Sequence, residues 1–118
     1  PLRERMDGAP WMNWTEKQKV PHAQAPRNIL TLMLAARVNL DDCESGEGGL
    51  CVVPGSHLDA DVSAERIECT GGKGSAVIMS PLLLHASKKS ISVRSRRVLH
   101  FLYGPTDLPG EVNWYYGL

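Results

Sequence analysis

The chain has 118 residues, with 13 basic and 13 acidic side chains and no formal net charge; at that length a single domain buries about 65% of the surface its unfolded chain exposes. Balanced charge argues against a nucleic-acid binder, which needs a basic surplus, and against attachment to an anionic membrane surface. The longest apolar run, at 29–36, is interrupted by Thr31 and falls far short of the roughly 20 residues of a membrane-spanning helix.

No basic-then-apolar leader opens the chain. Cys43, Cys51 and Cys69 include no CxxC pair and read as reduced thiols of a cytoplasmic protein. Residues 1–28 read as a loop-rich cover segment, punctuated by Pro1, Pro10, Pro21 and Pro26, with room for one short helical turn capped by Thr15. The domain proper spans 29–118, and nothing marks a second one. Residues 29–40 alternate: Thr31, Met33, Ala35, Arg37 and Asn39 share one face, and Leu32, Leu34, Ala36, Val38 and Leu40 the other. That period predicts a strand, with helix as the competitor because Leu, Met and Ala are good helix formers. The acidic, glycine-rich stretch at 41–49 is a turn. Short strands follow at 50–53, 66–69, 75–79, 82–85 and 97–103, separated by Pro54-Gly55, a loop or short helix at 58–65, the glycines at 71, 72 and 74, and Ser80-Pro81. Many short strands with Gly/Pro turns predict an all-β sandwich or barrel in which the strand at 97–103 pairs with that at 29–40.

The strongest chemical signal is Leu82-Leu83-Leu84-His85-Ala86-Ser87, followed by Lys88, Lys89, Arg94, Arg96 and Arg97. His85 and Ser87 project to one face of a strand. Arg96, eleven residues after His85, can converge with them if the two strands pair. Five cations without an acid attract an anion, and arginine offers a planar fork for a carboxylate. The bland alternative is a solvated basic hairpin with one buried histidine. His100 reads as a core or sheet-face residue and His22 as a loop residue. His57-Leu58-Asp59 has the HxD spacing that, joined to His85, would make a two-histidine, one-carboxylate iron site.

Gly48-Gly49-Leu50-Cys51-Val52-Val53-Pro54-Gly55-Ser56-His57, with Leu40-Asp41-Asp42 before it and Leu82 to Ser87 and Arg96-Arg97-Val98-Leu99-His100 after it, resembles the phytanoyl-CoA dioxygenase family. The resemblance runs from about Pro21 to Tyr103. It implies an iron(II)- and 2-oxoglutarate-dependent oxygenase on a double-stranded β-helix, the jelly-roll of cupin-like proteins, acting on a small-molecule substrate, with ascorbate admitted as an accessory. Carried over by motif, His85 is the distal iron ligand, Arg96 binds the far carboxylate of 2-oxoglutarate, and Ser87 supports that carboxylate; Arg94 is the runner-up for the arginine. Arg37 and Asn39 are candidates to line the pocket, against plain solvent exposure. The family's HxD precedes the strand at 29–40, where this chain offers only His22-Ala23-Gln24, whose amide replaces the carboxylate. His57-Leu58-Asp59 belongs instead to the Pro-Gly-Ser-His turn, which carries no ligand in the family. The expectation is therefore an incomplete β-helix, the C-terminal part of such an oxygenase cut after its HxD, inactive alone and prone to self-association through unpaired strand edges. Alternatives are a non-catalytic binding or assembly module and a cupin-like barrel of other chemistry.

Overall fold

The structure, a computed structural model, describes residues 2–3, 5, 10–59, 65–91, 94 and 96–116. Contacts divide the chain into two compact units, residues 1–33 with 104–118, and residues 34–103. The division falls at one register position, where Leu34 opens one strand and its partner Tyr103 closes another.

In the first unit, β1 (Met12–Lys17) and β2 (Val20–Gln24) form an antiparallel hairpin. This corrects the expectation of a loop with a helical turn at 15–19, and His22 lies on a strand. Gln18 and Lys19 both take positive φ, 53° and 63°, the backbone of the two-residue turn whose twist suits a hairpin. Asn-Gly would have advertised that turn; Gln-Lys does not. The strand expected from residue 29 also begins later. Pro26 introduces one helical turn, α1 (Arg27–Leu30), closed by hydrogen bonds from Ile29 and Leu30 N–H to the Pro26 carbonyl, both 3.0 Å. Leu2, Trp11, Ala25, Ile29, Met33 and Val112 form this unit's core. Two of its indoles are satisfied, Trp11 donating to the Pro109 carbonyl at 3.0 Å and Trp114 to that of Pro105 at 2.8 Å.

The second unit holds two three-stranded antiparallel sheets. In one, β3 (Leu34–Asn39) lies between β6 (Ala76–Met79) and β8 (Val98–Tyr103). In the other, β4 (Leu50–Val52) lies between β5 (Ile67–Cys69) and β7 (His85–Ser87). Ala35 from the first sheet, Leu50 from the second and Met79 form the core, with Val52, Cys69, Val77 and Leu83 packed against it. The inward faces of the two sheets are thus opposed. The chain is all-β and cupin-like in architecture, and the pairing of 97–103 with the strand after residue 29 is present as β8 on β3.

Two local expectations change. Residues 82–84 are not a strand: Leu83 N–H donates to the Ser80 carbonyl at 3.0 Å and Leu82 N–H to Ser80 Oγ at 3.2 Å, so the Ser80-Pro81 turn continues until His85. The buried side of β3 is its more polar one. Ala35, Arg37 and Asn39 are buried, while Leu34 is 43% exposed. For the segment at 58–65, turn backbone reaches Leu58, and residues 60–64 lie outside the described residues.

The 41–49 turn is pinned by Gly48, at φ +81°, where an added Cβ would stand 2.7 Å from the Lys88 carbonyl oxygen and 2.8 Å from Ser90 N. Both neighbours are backbone and cannot swing away. Gly48→Ala therefore combines left-handed strain with a steric clash and is expected to destabilise by about 2 kcal/mol. Urea denaturation measures it, with Gly55→Ala, also at positive φ but in open space, as the control that loses less.

Candidate anion-binding and metal-ligand site

Directly paired residues of antiparallel strands share a face, so register alone assigns the inward side chains of the second unit. Arg37 pairs with His100 and Val77, and Asn39 with Val98. Arg96 lies two residues before Val98, ahead of β8, and is half-buried. On the opposed sheet His85 pairs with Val52 and Ser87 with Leu50, placing both on the core side although their side chains remain exposed. Convergence was conditional on β7 and β8 pairing, and they lie in different sheets: His85 and Ser87 are on β7, and Arg96 lies two residues before β8.

Of the five clustered cations, two are answered by acids. Arg97 forks onto Asp41, with Nε to Oδ2 at 3.0 Å and Nη2 to Oδ1 at 2.7 Å, and its backbone N–H adds 2.8 Å to Oδ2. Those hydrogen bonds from Arg97 hold the Asp41 carboxyl down at about 2. Arg94 is an exposed side chain 3.7 Å from the Glu47 carboxylate. Lys88, Lys89, Arg94 and Arg97 are exposed, as a solvated basic stretch requires, while His85 is exposed rather than buried and Arg96 is half-buried. Arg96 turns partly inward, and its Nη1 is buried with no hydrogen-bond partner among the described residues.

Arg37 and Asn39 are not solvent-exposed; each is only 7% exposed. Asn39 is committed to structure. Its Nδ2 donates to Ser75 Oγ at 3.1 Å and to the Gly71 carbonyl at 3.4 Å, and its backbone closes the 71–75 turn through Asn39 N–H to Ser75 O and Gly74 N–H to Asn39 O. Arg37 is different. Burial holds its guanidinium below the ordinary arginine value, the charge of Arg96 adds to that, and the Cys43 and Cys69 thiols oppose it. No carboxylate among the described residues contributes.

His85 Nδ1 lies 2.6 Å from the Leu83 carbonyl. A carbonyl can only accept, so the proton sits on Nδ1 and Nε2 presents its lone pair, the tautomer a metal-ligating histidine uses. The other imidazoles are placed elsewhere. His22 Nδ1 is 2.9 Å from the Val20 carbonyl in the first unit. His57, in the turn after Pro54-Gly55, has a buried Nδ1 without a hydrogen-bond partner among the described residues. His100 is an exposed sheet-face residue rather than a core one. No group of three His, Cys, Asp or Glu side chains gathers among the described residues. Those residues therefore do not by themselves fit a complete iron(II) site: they present one suitable imidazole. They do fit an anion.

Sequence reasoning placed Arg37 on the right face but left its burial open, because polar Arg and Asn made that face resemble the solvent side. The signal that could have found it is that Arg37 keeps step with Met33 and Ala35. A concavity of about 270 Å³, lined by Cys51, Val53, Arg66, Leu84, His85, Ala86 and Lys88, draws mainly on the alternate, outward residues of the β5-β4-β7 sheet and takes in His85 without Ser87 or Arg96.

A family model described as phytanoyl-CoA dioxygenase (PhyH) matches residues 4–98. No curated protein and no solved structure matches the chain.

Proposed function

This chain belongs to the phytanoyl-CoA dioxygenase family, and from that premise we propose that residues 34–103 carry the co-substrate side of an iron(II)- and 2-oxoglutarate-dependent oxygenase site acting on a small molecule. Arg96 takes the far carboxylate of 2-oxoglutarate, Ser87 donates a hydroxyl hydrogen bond to it, and His85 Nε2 is one metal donor. The observation that carries this reading is the Nη1 of half-buried Arg96, buried and without a hydrogen-bond partner among the described residues, since a buried donor left unpaired is costly unless a ligand completes it.

Iron with its co-substrate and oxygen supplies the C–H oxidising chemistry of this family. The protein's share, on the residues present, is to fix the anion with Arg96 and to hold the His85 ring by its bond to the Leu83 carbonyl. Two further donors are required, and an extended HxD facing His85 is the segment that supplies an imidazole and a carboxylate together. No helix of the described chain is long and apolar enough to cross a membrane.

The test is oxygen-dependent succinate release from 2-oxoglutarate by this chain joined to an HxD-bearing strand. Release is expected from the joined protein and background from the 118 residues alone. His85→Ala in the joined protein should lower release at least 100-fold, because removing one of three ligands dismantles the metal face. Unchanged release in that variant would overturn the assignment. Binding of 2-oxoglutarate with no release from any joined form would favour a non-catalytic module.

A further inference from the structure

β8 is an edge of the β6-β3-β8 sheet, and its residues from Leu99 to Tyr103 are all exposed. It is the longest edge strand of its unit, six residues against four in β6 and three in each of β5 and β7. None of the usual protections of an edge is present: β8 holds no Lys, Pro or Gly, and its register on β3 runs without a bulge. Two hydrogen bonds fix which of its backbone groups face outward. Asn39 N–H donates to the Ser75 carbonyl at 2.9 Å, on the β6 side, and Leu40 N–H to the Arg97 carbonyl at 3.0 Å. Hydrogen-bonded pairs alternate along an antiparallel ladder, so Leu99, Phe101 and Tyr103 turn their backbone groups to β3. Val98, His100 and Leu102 turn theirs to the free edge, where no hydrogen bond among the described residues engages them.

We infer that β8 pairs antiparallel with β8 of a second copy of this chain, about a two-fold axis at His100, joining two β6-β3-β8 sheets edge to edge. An outward residue must meet an outward residue, so the strands can slide past one another only in two-residue steps. Centred on His100, the strand complements itself. On one face Leu99 stands opposite the partner's Phe101, and Arg97 opposite the partner's Tyr103. On the other, Val98 meets the partner's Leu102 and the two His100 rings face each other. Apolar cross-strand pairs of this kind are stabilising, and no two like charges meet, because Arg97 lies at opposite ends of the two strands. Arg97 is held by its fork onto Asp41, at 2.7 Å. The stacked rings of Phe101 and Tyr103, with centroids 6.5 Å apart, offer that guanidinium an aromatic face. Sliding by one step sets Arg97 opposite the partner's Pro105, or Arg96 opposite the partner's Leu102, and loses the match. A paired strand edge buries less than the roughly 1,200 Å² of a standard interface, so the dimer is weak, with a Kd of about 10 μM. The inference gives the self-association expected of unpaired strand edges a particular strand and register, and it does not depend on the 2-oxoglutarate reading.

Sedimentation equilibrium of the 118-residue chain from about 1 to about 200 μM reads the assembly, and a reversible monomer–dimer equilibrium is expected. His100→Lys sets two ammonium groups opposite each other and His100→Glu two carboxylates; each should weaken the dimer at least about tenfold. Mixed in equal amounts, the two variants should form a heterodimer at least as tight as the native dimer, a rescue that a folding defect in either would not give. Leu102→Pro removes an outward N–H that β3 does not use, so native far-ultraviolet circular dichroism should persist while dimerisation is lost. Ile78→Lys is the control: Ile78 is 64% exposed on the opposite edge strand of the sheet, and its replacement should leave the dimer unchanged. A chain still monomeric at about 200 μM, growth into species larger than a dimer, or the absence of a heterodimer from the mixed variants overturns the inference. So does a dimer that survives His100→Lys; if that dimer is lost in Ile78→Lys, the contact lies on the open face of the sheet instead of its edge.

Discussion

Leu50→Ala is expected to destabilise residues 34–103 by about 3 kcal/mol, within the range for emptying a leucine-sized volume from a core that only partly collapses. Leu50 is 3% exposed and sits at the start of the central strand β4, paired to Cys69 on one side and Ser87 on the other. It joins Ala35 and Met79 in the contact that holds the two sheets face to face. Losing about 3 kcal/mol is serious for a small unit, since whole domains are stable by only about 5–15 kcal/mol. The measurement must follow the right unit. Trp11, Trp14 and Trp114 all belong to the other one, so amide hydrogen exchange on β3 and β4 is the probe rather than tryptophan fluorescence. Leu58→Ala, at an exposed position, should change protection by less than about 0.5 kcal/mol. Equal effects of the two substitutions would mean that the opposed-sheet core does not carry the fold.

The sequence made that core partly legible. Alternation over 34–39 is regular because β3 has one face on a core, whereas β8, its partner in the same sheet, is exposed from Leu99 onward. The β1–β2 hairpin was hidden for the opposite reason: its strands are mostly exposed or half-buried, so no apolar period records them. Helix and strand were confused at 29–33 because Ile29 and Met33 are both buried, and that spacing of four fits one helical turn as well as alternate strand positions. The same ambiguity affected the site. Local motifs named His85, Ser87 and Arg96, but only the three-dimensional register shows that they sit on two facing sheets rather than on one hairpin. Arg97 and Arg94 were indistinguishable from Arg96 as cations in the sequence. Asp41 and Glu47, more than forty residues earlier in the chain, engage them, and that long-range pairing separates the three.

The central claim is that Arg96 holds a carboxylate of 2-oxoglutarate, and its removal should have the largest effect on binding. Arg96 lies two residues before β8, and its Nη1 is buried without a hydrogen-bond partner among the described residues. Truncating one side of a buried, hydrogen-bonded charge pair costs about 2–5 kcal/mol, much of it the penalty for the charge left behind. Arg96→Met should therefore weaken 2-oxoglutarate by at least about 30-fold. Arg94→Met removes a surface cation paired to Glu47 and should change affinity by less than about threefold, as expected for an exposed ion pair. Calorimetric titration of the iron-free chain with 2-oxoglutarate is the most direct measurement. The account predicts saturable binding, with a Kd of about 1 mM without metal chelation, that is lost in Arg96→Met and kept in Arg94→Met. Binding that survives Arg96→Met, or that disappears in Arg94→Met instead, would contradict it.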